Sequence, residues 1–252
     1  MQTNEKIKES VRQTYGEVAR QGRYVQEPLN NPSCCSTPQK AGLGQQSGCG
    51  CGSKSFDPKL ISAYLGYSKE DLKAVPEGSN LGLGCGSPKT IAGIKKDETI
   101  IDLGSGGGFD CFLASKQVGE NGRVIGVDMT AEMISLAREN KKKMKTDNVE
   151  FRLGEIEHLP VGDNVADLII SNCVINLSPE KQQVFSDAFR VLKPGGRIAI
   201  SDIVALKSLP KDVKQDLLLV SACIGGAATI EETTMMLQKA GFENIQITPK
   251  KI

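Results

Sequence analysis

The chain has 252 residues, enough for one large α/β domain or one domain with appendages. Lys plus Arg (31) nearly balances Asp plus Glu (30), so neither nucleic acid nor an anionic membrane is favoured as partner. No run approaches the roughly 20 apolar residues of a membrane span, and the opening Met1-Gln2-Thr3-Asn4-Glu5-Lys6 has no signal-peptide core. A cytoplasmic chain is therefore the expectation, with its eight cysteines reduced.

Ile7, Val11, Tyr15 and Val18 recur at helical spacing, which predicts an amphipathic helix over about 4–20 whose apolar stripe must dock on something, as a lid would. Residues 22–55 carry Pro, Gly, Ser and Gln with Cys34, Cys35, Cys49 and Cys51 and no hydrophobic period, and they read as a flexible cysteine-bearing loop. Asp57-Pro58 and Ser68-x-x-Asp71 mark helix starts, the second a capping box with Asp in the place of Glu or Gln. Short helices then lead to the Gly-rich Asn80-Leu81-Gly82-Leu83-Gly84-Cys85-Gly86.

From about residue 98, short β-rich runs alternate with amphipathic helices, the pattern of a doubly wound, mostly parallel α/β sheet. Strands are predicted at 99–103, 123–128, 149–153, 167–172, 197–203 and 244–248, with helices at 109–118, 130–145, 179–192, 210–222 and 230–240. Ser178-Pro179 supplies a cap and first-turn proline, Thr229 with Glu232 a capping box, and Gly241 a stop. The basic run Lys141-Lys142-Lys143-Met144-Lys145 suits the negative end of its helix. Residues 1–97 are expected to form an N-terminal helical and loop extension with a substrate-binding segment, and 98–252 the core, with a substrate insertion around Cys223.

The first strand ends in Asp102-Leu103-Gly104-Ser105-Gly106-Gly107-Gly108, whose glycines let the backbone turn tightly and approach a ligand where a helix begins. The second ends at Asp128, about twenty residues on, where a carboxylate can accept ribose hydroxyls. A nicotinamide site is disfavoured, because the strict Gly-x-Gly-x-x-Gly spacing and a basic residue for the pyrophosphate are both missing from this loop. Cys85, Cys173 and Cys223 are far too widely spaced for a local zinc clip, so a shared site must be assembled by the fold. Cys173 follows Ser171-Asn172 at the end of the fourth strand, where open parallel sheets place ligands. Cys111 reads as a small buried hydrophobe and His158, the sole histidine, as an ordinary loop residue.

This combination resembles the class I S-adenosylmethionine-dependent methyltransferases, which have a Rossmann-like fold. The likeness runs over 98–204 through Gly154-Glu155-Ile156-Glu157-His158-Leu159-Pro160, Val165-Ala166-Asp167 and Leu192-Lys193-Pro194-Gly195-Gly196. The resemblance implies that Asp102, Gly104, Ser105 and Gly106 face the methionine part, Asp128 the ribose, Met129 the adenine face, and Ile156 and Glu157 the adenine edge, with Asn172 beside the cofactor. Glu155 and Glu157 also admit a plainer reading as solvent-facing loop carboxylates.

A narrower likeness covers nearly the whole chain. Asn80 to Gly86, Ser171-Asn172-Cys173-Val174-Ile175-Asn176-Leu177 and Cys223-Ile224-Gly225-Gly226-Ala227 resemble signatures of the arsenite S-adenosylmethionine methyltransferases. In that family the matching cysteines bind trivalent arsenic and a fourth takes part in redox exchange. Cys85, Cys173 and Cys223 are thus the implied arsenic ligands and catalytic residues, with Cys35 the preferred fourth among Cys34, Cys35, Cys49 and Cys51. The implied substrate is arsenite or its thiol conjugate, the product is a monomethylated arsenical with a second methylation left open, and the implied reductant is glutathione or a thioredoxin-type protein. Oligomeric state is not legible. The family's fold usually ends with a seventh strand, whereas this sequence stops at Ile252 after the sixth predicted one. An ordinary organic methyl acceptor and a non-catalytic metalloid-binding protein stay open as alternatives.

Overall fold

The computed structural model describes residues 3–22 and 57–250. The helices are α1 (Asn4–Gln21), α2 (Pro58–Tyr64), α3 (Lys69–Lys73), α4 (Lys89–Ala92), α5 (Phe109–Val118), α6 (Ala131–Met144), α7 (Lys181–Val191), α8 (Lys211–Gln215), α9 (Leu217–Ser221) and α10 (Ile230–Ala240). The strands are β1 (Thr99–Leu103), β2 (Arg123–Asp128), β3 (Val149–Leu153), β4 (Ala166–Asn172) and β5 (Leu192–Ser201), in the order β3-β2-β1-β4-β5, and every pairing is parallel.

Side chains alternate between the two faces of a strand, and both faces of this sheet are buried. Ile100, Val124, Leu168 and Ile170 enter one core with Phe112, Ile134 and Ala137 of α5 and α6. Ile101, Ile125, Val127 and Ile169 enter the other with Phe185, Ala188 and Val191 of α7 and Leu237 of α10. Two-sided burial is why these strands read as continuous apolar runs. The sequence direction of the winding reverses between β1 and β4, which are neighbours in the sheet but not in the chain. The carboxyl ends of β1 and β4 therefore flank a crevice, the place where such sheets take ligands.

The capping boxes at Ser68 and Thr229 form, Asp57 caps α2, and Lys145 ends α6 with φ +52°. Four expectations need correction, the first being the strand expected at 197–203, which runs Leu192–Ser201. The segment 244–248 joins no sheet: Ile245 packs on the core, but Asn244 turns the chain with φ +52° and the segment has no ladder partner, so among the described residues the sheet has five strands. The helix expected at 179–192 starts at Lys181, because the Ser178 hydroxyl closes a local turn by accepting from Glu180 N at 3.0 Å. The helix expected at 210–222 is split at Asp216, whose carboxylate caps the second half by accepting from Leu218 N (2.9 Å) and Leu219 N (3.2 Å).

α1 packs against α6 and α9, with the Tyr15 hydroxyl donating to Ser221 O at 3.2 Å. Its Lys8 ammonium reaches Glu155 at 2.7 Å, Glu157 at 3.5 Å and Glu180 at 3.6 Å, and Arg12 joins Glu155 at 2.6 Å. Glu155 is thus a bridge to α1 rather than a free surface carboxylate. No described helix is long and apolar enough to cross a membrane.

Candidate active site

β1 runs directly into Gly104, whose N–H, with that of Ser105, donates to Val127 O at 2.8 and 3.0 Å and folds the loop back toward β2. Gly104 has φ +67°, and a Cβ there would lie 2.5 Å from the Val174 side chain, so no other residue fits. The Gly106 N–H donates to Asp128 Oδ2 at 3.0 Å, while Asp128 Oδ1 accepts from Thr130 N at 2.8 Å. The loop borders a cleft of roughly 1100 Å³, part of it open to solvent, with Tyr15 and Val11 of α1 and Leu81 to Gly84 forming further walls.

The cleft is acidic. Asp102, Asp110, Asp128 and Glu157 line it, against Lys8 as the one lining cation among the described residues. Burial, and then the charge of Asp110, push Asp102 well above the usual carboxylate range. Burial also raises Asp110, against hydrogen bonds from the Tyr67 hydroxyl (2.7 Å) and Asn172 Nδ2 (3.1 Å), and raises Asp128 against its backbone donors. Two or more buried carboxylates facing one space favour a cationic occupant and repel a pyrophosphate. Ser105 Oγ, buried at the cleft wall, has no hydrogen-bond partner among the described residues.

The three cysteines meet beside this cleft. Cys173 N donates to Ser201 O at 2.8 Å, and Cys85 Sγ donates to the same oxygen at 3.3 Å. Cys223 Sγ donates to Cys173 O at 2.9 Å. Asn172 fixes the Cys85 loop by accepting from Cys85 N at 3.1 Å and donating to Gly86 O at 2.9 Å. Cys173 and Cys223 adopt φ +57° and +62°, a region that non-glycine residues seldom enter and that clusters at functional sites. Hydrogen bonding to Cys223, then to Cys85, and burial push the Cys173 thiol far above its ordinary value. In the free protein this group is therefore held as a thiol. Cys85 Sγ and Cys173 Sγ lie within 4.8 Å of each other, and Cys223 Sγ sits on the Cys173 carbonyl just outside that group, so soft sulfurs from β4, a Gly-rich loop and the segment after α9 can hold a thiophilic trivalent centre.

Residues 94–241 match the methyltransferase domain family. The chain belongs to that family. This methyltransferase domain is 49% identical to an arsenite methyltransferase of Halobacterium salinarum over 246 residues, 98% of this chain and 60% of the relative. It is 41% identical to one from Homo sapiens over 152 residues, 57% of this chain and 40% of the relative. The crystal structure of an arsenic (III) S-adenosylmethionine methyltransferase from Chlamydomonas reinhardtii resembles it at 36% identity and a TM-score of 0.58, over 74% of this chain and 62% of that one. The chain thus spans 60% or less of the length of these curated relatives.

Within the methyltransferase domain, Asp102, Gly104, Ser105, Gly106, Asp128, Met129, Ile156, Glu157, Asn172 and Cys173 all line the one cleft, with Cys85 and Cys223 packed behind Cys173. Cys34, Cys35, Cys49 and Cys51 lie outside the described residues. His158 is exposed, and Cys111 is fully buried with its thiol donating to Asp102 at 3.1 Å. Sequence reasoning missed Lys8, Tyr67, Asp110 and Asp202. Asp202 was hidden because the predicted fifth strand ran through it, whereas the strand stops at Ser201 and leaves Asp202 at its carboxyl end.

Proposed function

We propose that this protein transfers a methyl group from S-adenosylmethionine to trivalent inorganic arsenic held by Cys85, Cys173 and Cys223. The convergence of three thiols on the ends of β4 and β5, next to an acidic Gly-rich cleft, carries the reading. The likeness to arsenite methyltransferases in two comparisons supports it.

The cleft fits the methyl donor on three counts: carboxylates for a cationic ligand, an unpartnered Ser105 hydroxyl, and a Gly104 position that a Cβ would close. Asp102, Ser105 and Gly106 would hold its methionine part, Asp128 its ribose, and Met129, Ile156 and Glu157 its adenine. When bound, the donor supplies an electrophilic methyl on a sulfonium sulfur. The protein's part is to fix the arsenic and exclude water. Each thiol exchanges with an As–OH group, forming As–S and releasing water, so ligand exchange needs no general base. Three sulfurs leave the arsenic lone pair free, and the rate gain comes from aiming it along the sulfur–methyl axis. Methylation formally takes arsenic to the pentavalent state. Two thiols, Cys35 and Cys85, would return two electrons and form a disulfide, which glutathione or a thioredoxin-type protein then reduces.

Incubation with arsenite, S-adenosylmethionine and a thiol reductant should give mono- and dimethylated arsenic on separation of the products. Binding of both ligands without methylated product would favour a metalloid-binding protein, and no arsenite binding an ordinary acceptor.

Donor binding is expected to release protons. A bound cation favours the ionised forms of Asp102 and Asp110, so their raised affinity for protons falls. Affinity should therefore rise with pH from the usual carboxylate range up through the raised values, and calorimetry in buffers of different ionisation enthalpy reads the release. Buffer-independent heats would rule it out.

A further inference from the structure

Asp202 stands one residue past the end of β5. A carboxylate oxygen of Asp202, Cys85 Sγ and Cys173 Sγ all lie within 4.8 Å of one another. Its Oδ1 accepts from Asn176 Nδ2 at 2.7 Å and Ile203 N at 2.8 Å, and its Oδ2 accepts from Ile175 N at 3.1 Å and Asn176 N at 3.3 Å. Burial pushes the Asp202 carboxyl up to about 6 against these donors, and since every partner is a donor, both oxygens act as acceptors and the group is a carboxylate at neutral pH. The same saturation argues against Asp202 as a ligand, because its four lone-pair sites are already used. What remains is a fixed negative charge beside the sulfurs. Lys181, whose ammonium donates to Ser178 O at 2.8 Å, is the cation that faces it, but among the described residues Asp202 closes no ion pair.

The position of this charge matters for the reaction proposed above, on which the inference rests. The arsenic lone pair forms the As–C bond as the sulfonium C–S bond breaks, and the electron pair of that bond stays on the donor sulfur. Positive charge thus moves from sulfur to arsenic, leaving a methylarsonium held by three sulfurs. Asp102 and Asp110 line the donor cleft, and their charges favour the sulfonium ground state as much as anything beyond it. Asp202 does not line that cleft and lies on the thiol side.

We propose that Asp202 is a catalytic residue whose carboxylate stabilises the positive charge arriving on arsenic during methyl transfer. A preorganised charge aimed where charge develops lowers the barrier without tightening ground-state binding. Its hydrogen bonds to the 175–176 turn and to Ile203 supply the preorganisation, since the carboxylate need not reorient as the charge arrives.

The test is single-turnover methylation with arsenite and S-adenosylmethionine both saturating, alongside the arsenite dissociation constant. Asp202→Asn is expected to slow methyl transfer about 100-fold, with arsenite affinity within about threefold of wild type. Asp202→Glu, which keeps the charge, should recover to within about tenfold of wild type. Where the Asn amide disturbs the turn, Asp202→Ser, neutral but still an acceptor, gives the same comparison. A neutral variant with the wild-type rate overturns the proposal, as does a slowing matched by an equal loss of arsenite affinity, which marks a role in placing thiols. Wild-type protein that binds no arsenite sinks the arsenic reading itself, whereas normal methylation by wild type and Asp202→Asn alike sinks only the charge role.

Discussion

Replacing Cys173 by serine is expected to reduce arsenite methylation by about a thousandfold or more, a barrier increase on the order of 4 kcal/mol, while S-adenosylmethionine still binds. Cys173 sits between the other two thiols: its carbonyl accepts from Cys223 Sγ, and its own sulfur is within 4.8 Å of Cys85 Sγ. A hydroxyl is a hard donor and does not replace a thiol on a soft trivalent centre. Two sulfurs leave arsenic with an oxygen ligand and an unfixed lone pair, so both retention and aim are lost. The backbone should survive, because Cys173 N still reaches Ser201 O and Cys223 still has the Cys173 carbonyl as acceptor. Isothermal titration with the methyl donor should therefore give an affinity within about threefold of wild type, under 1 kcal/mol. Cys223→Ser should behave alike. Undiminished turnover in both variants would sink the ligand assignment.

The bounds of β1, β2 and β3 were legible residue for residue: burial on both faces writes an apolar run in β1 and β2, such as Ile100-Ile101 before the Gly-rich loop, and β3 reads instead by the alternation of Val149 and Phe151 with Glu150 and Arg152. β5 was less so. Lys193-Pro194-Gly195-Gly196 reads as a turn, yet the strand starts at Leu192 and absorbs it, with Gly195 at φ +78° and a register shift against β4 between Ala166 and Leu168. A proline is tolerated there because β5 is an edge strand. The alternation of Ile245 and Ile247 does report one half-buried side, but a strand also needs a partner, and pairing is not a local property. The same limit hid part of the site. Tyr67 lies 43 residues from Asp110 and 105 from Asn172, so nothing near it in the chain reveals that its hydroxyl joins the two. Gly104, Asp128 and Cys173 were readable because each stands at the end of a strand whose position the winding of the sheet dictates, whereas Cys85, in the loop before α4, and Cys223, after α9, were reached only through the family resemblance.

Gly226→Ala is expected to break the three-thiol cluster without touching a sulfur. A Cβ on Gly226 would sit 1.9 Å from Asn176 O and 3.0 Å from Asn176 C, a clash with backbone and not with a flexible side chain. Asn176 cannot give way, because its N–H and Nδ2 are tied to Asp202 and its Nδ2 also donates to Ile203 O at 2.7 Å. The 224–227 segment must move instead, and it carries the directly preceding Cys223 with it, whose own N–H donates to Val220 O at 2.9 Å while Ala227 N closes the segment on Ile224 O at 3.0 Å. Relief of such overpacking costs about 1–3 kcal/mol of stability, which lowers Tm by about 2–4 °C for each kcal/mol. The larger effect is on substrate. A shift of about 1 Å in the third sulfur should weaken arsenite binding and slow methylation about 100-fold, while the donor cleft, built from β1, β2 and β4, keeps its affinity. X-ray absorption of the arsenic complex should show fewer than three sulfur neighbours. Gly162→Ala, where the nearest atom is 3.7 Å from the added Cβ, should leave both properties unchanged and controls for glycine replacement as such. A Gly226→Ala protein that retains three sulfurs on arsenic and wild-type affinity would mean that Cys223 is not positioned by the Asn176 contact.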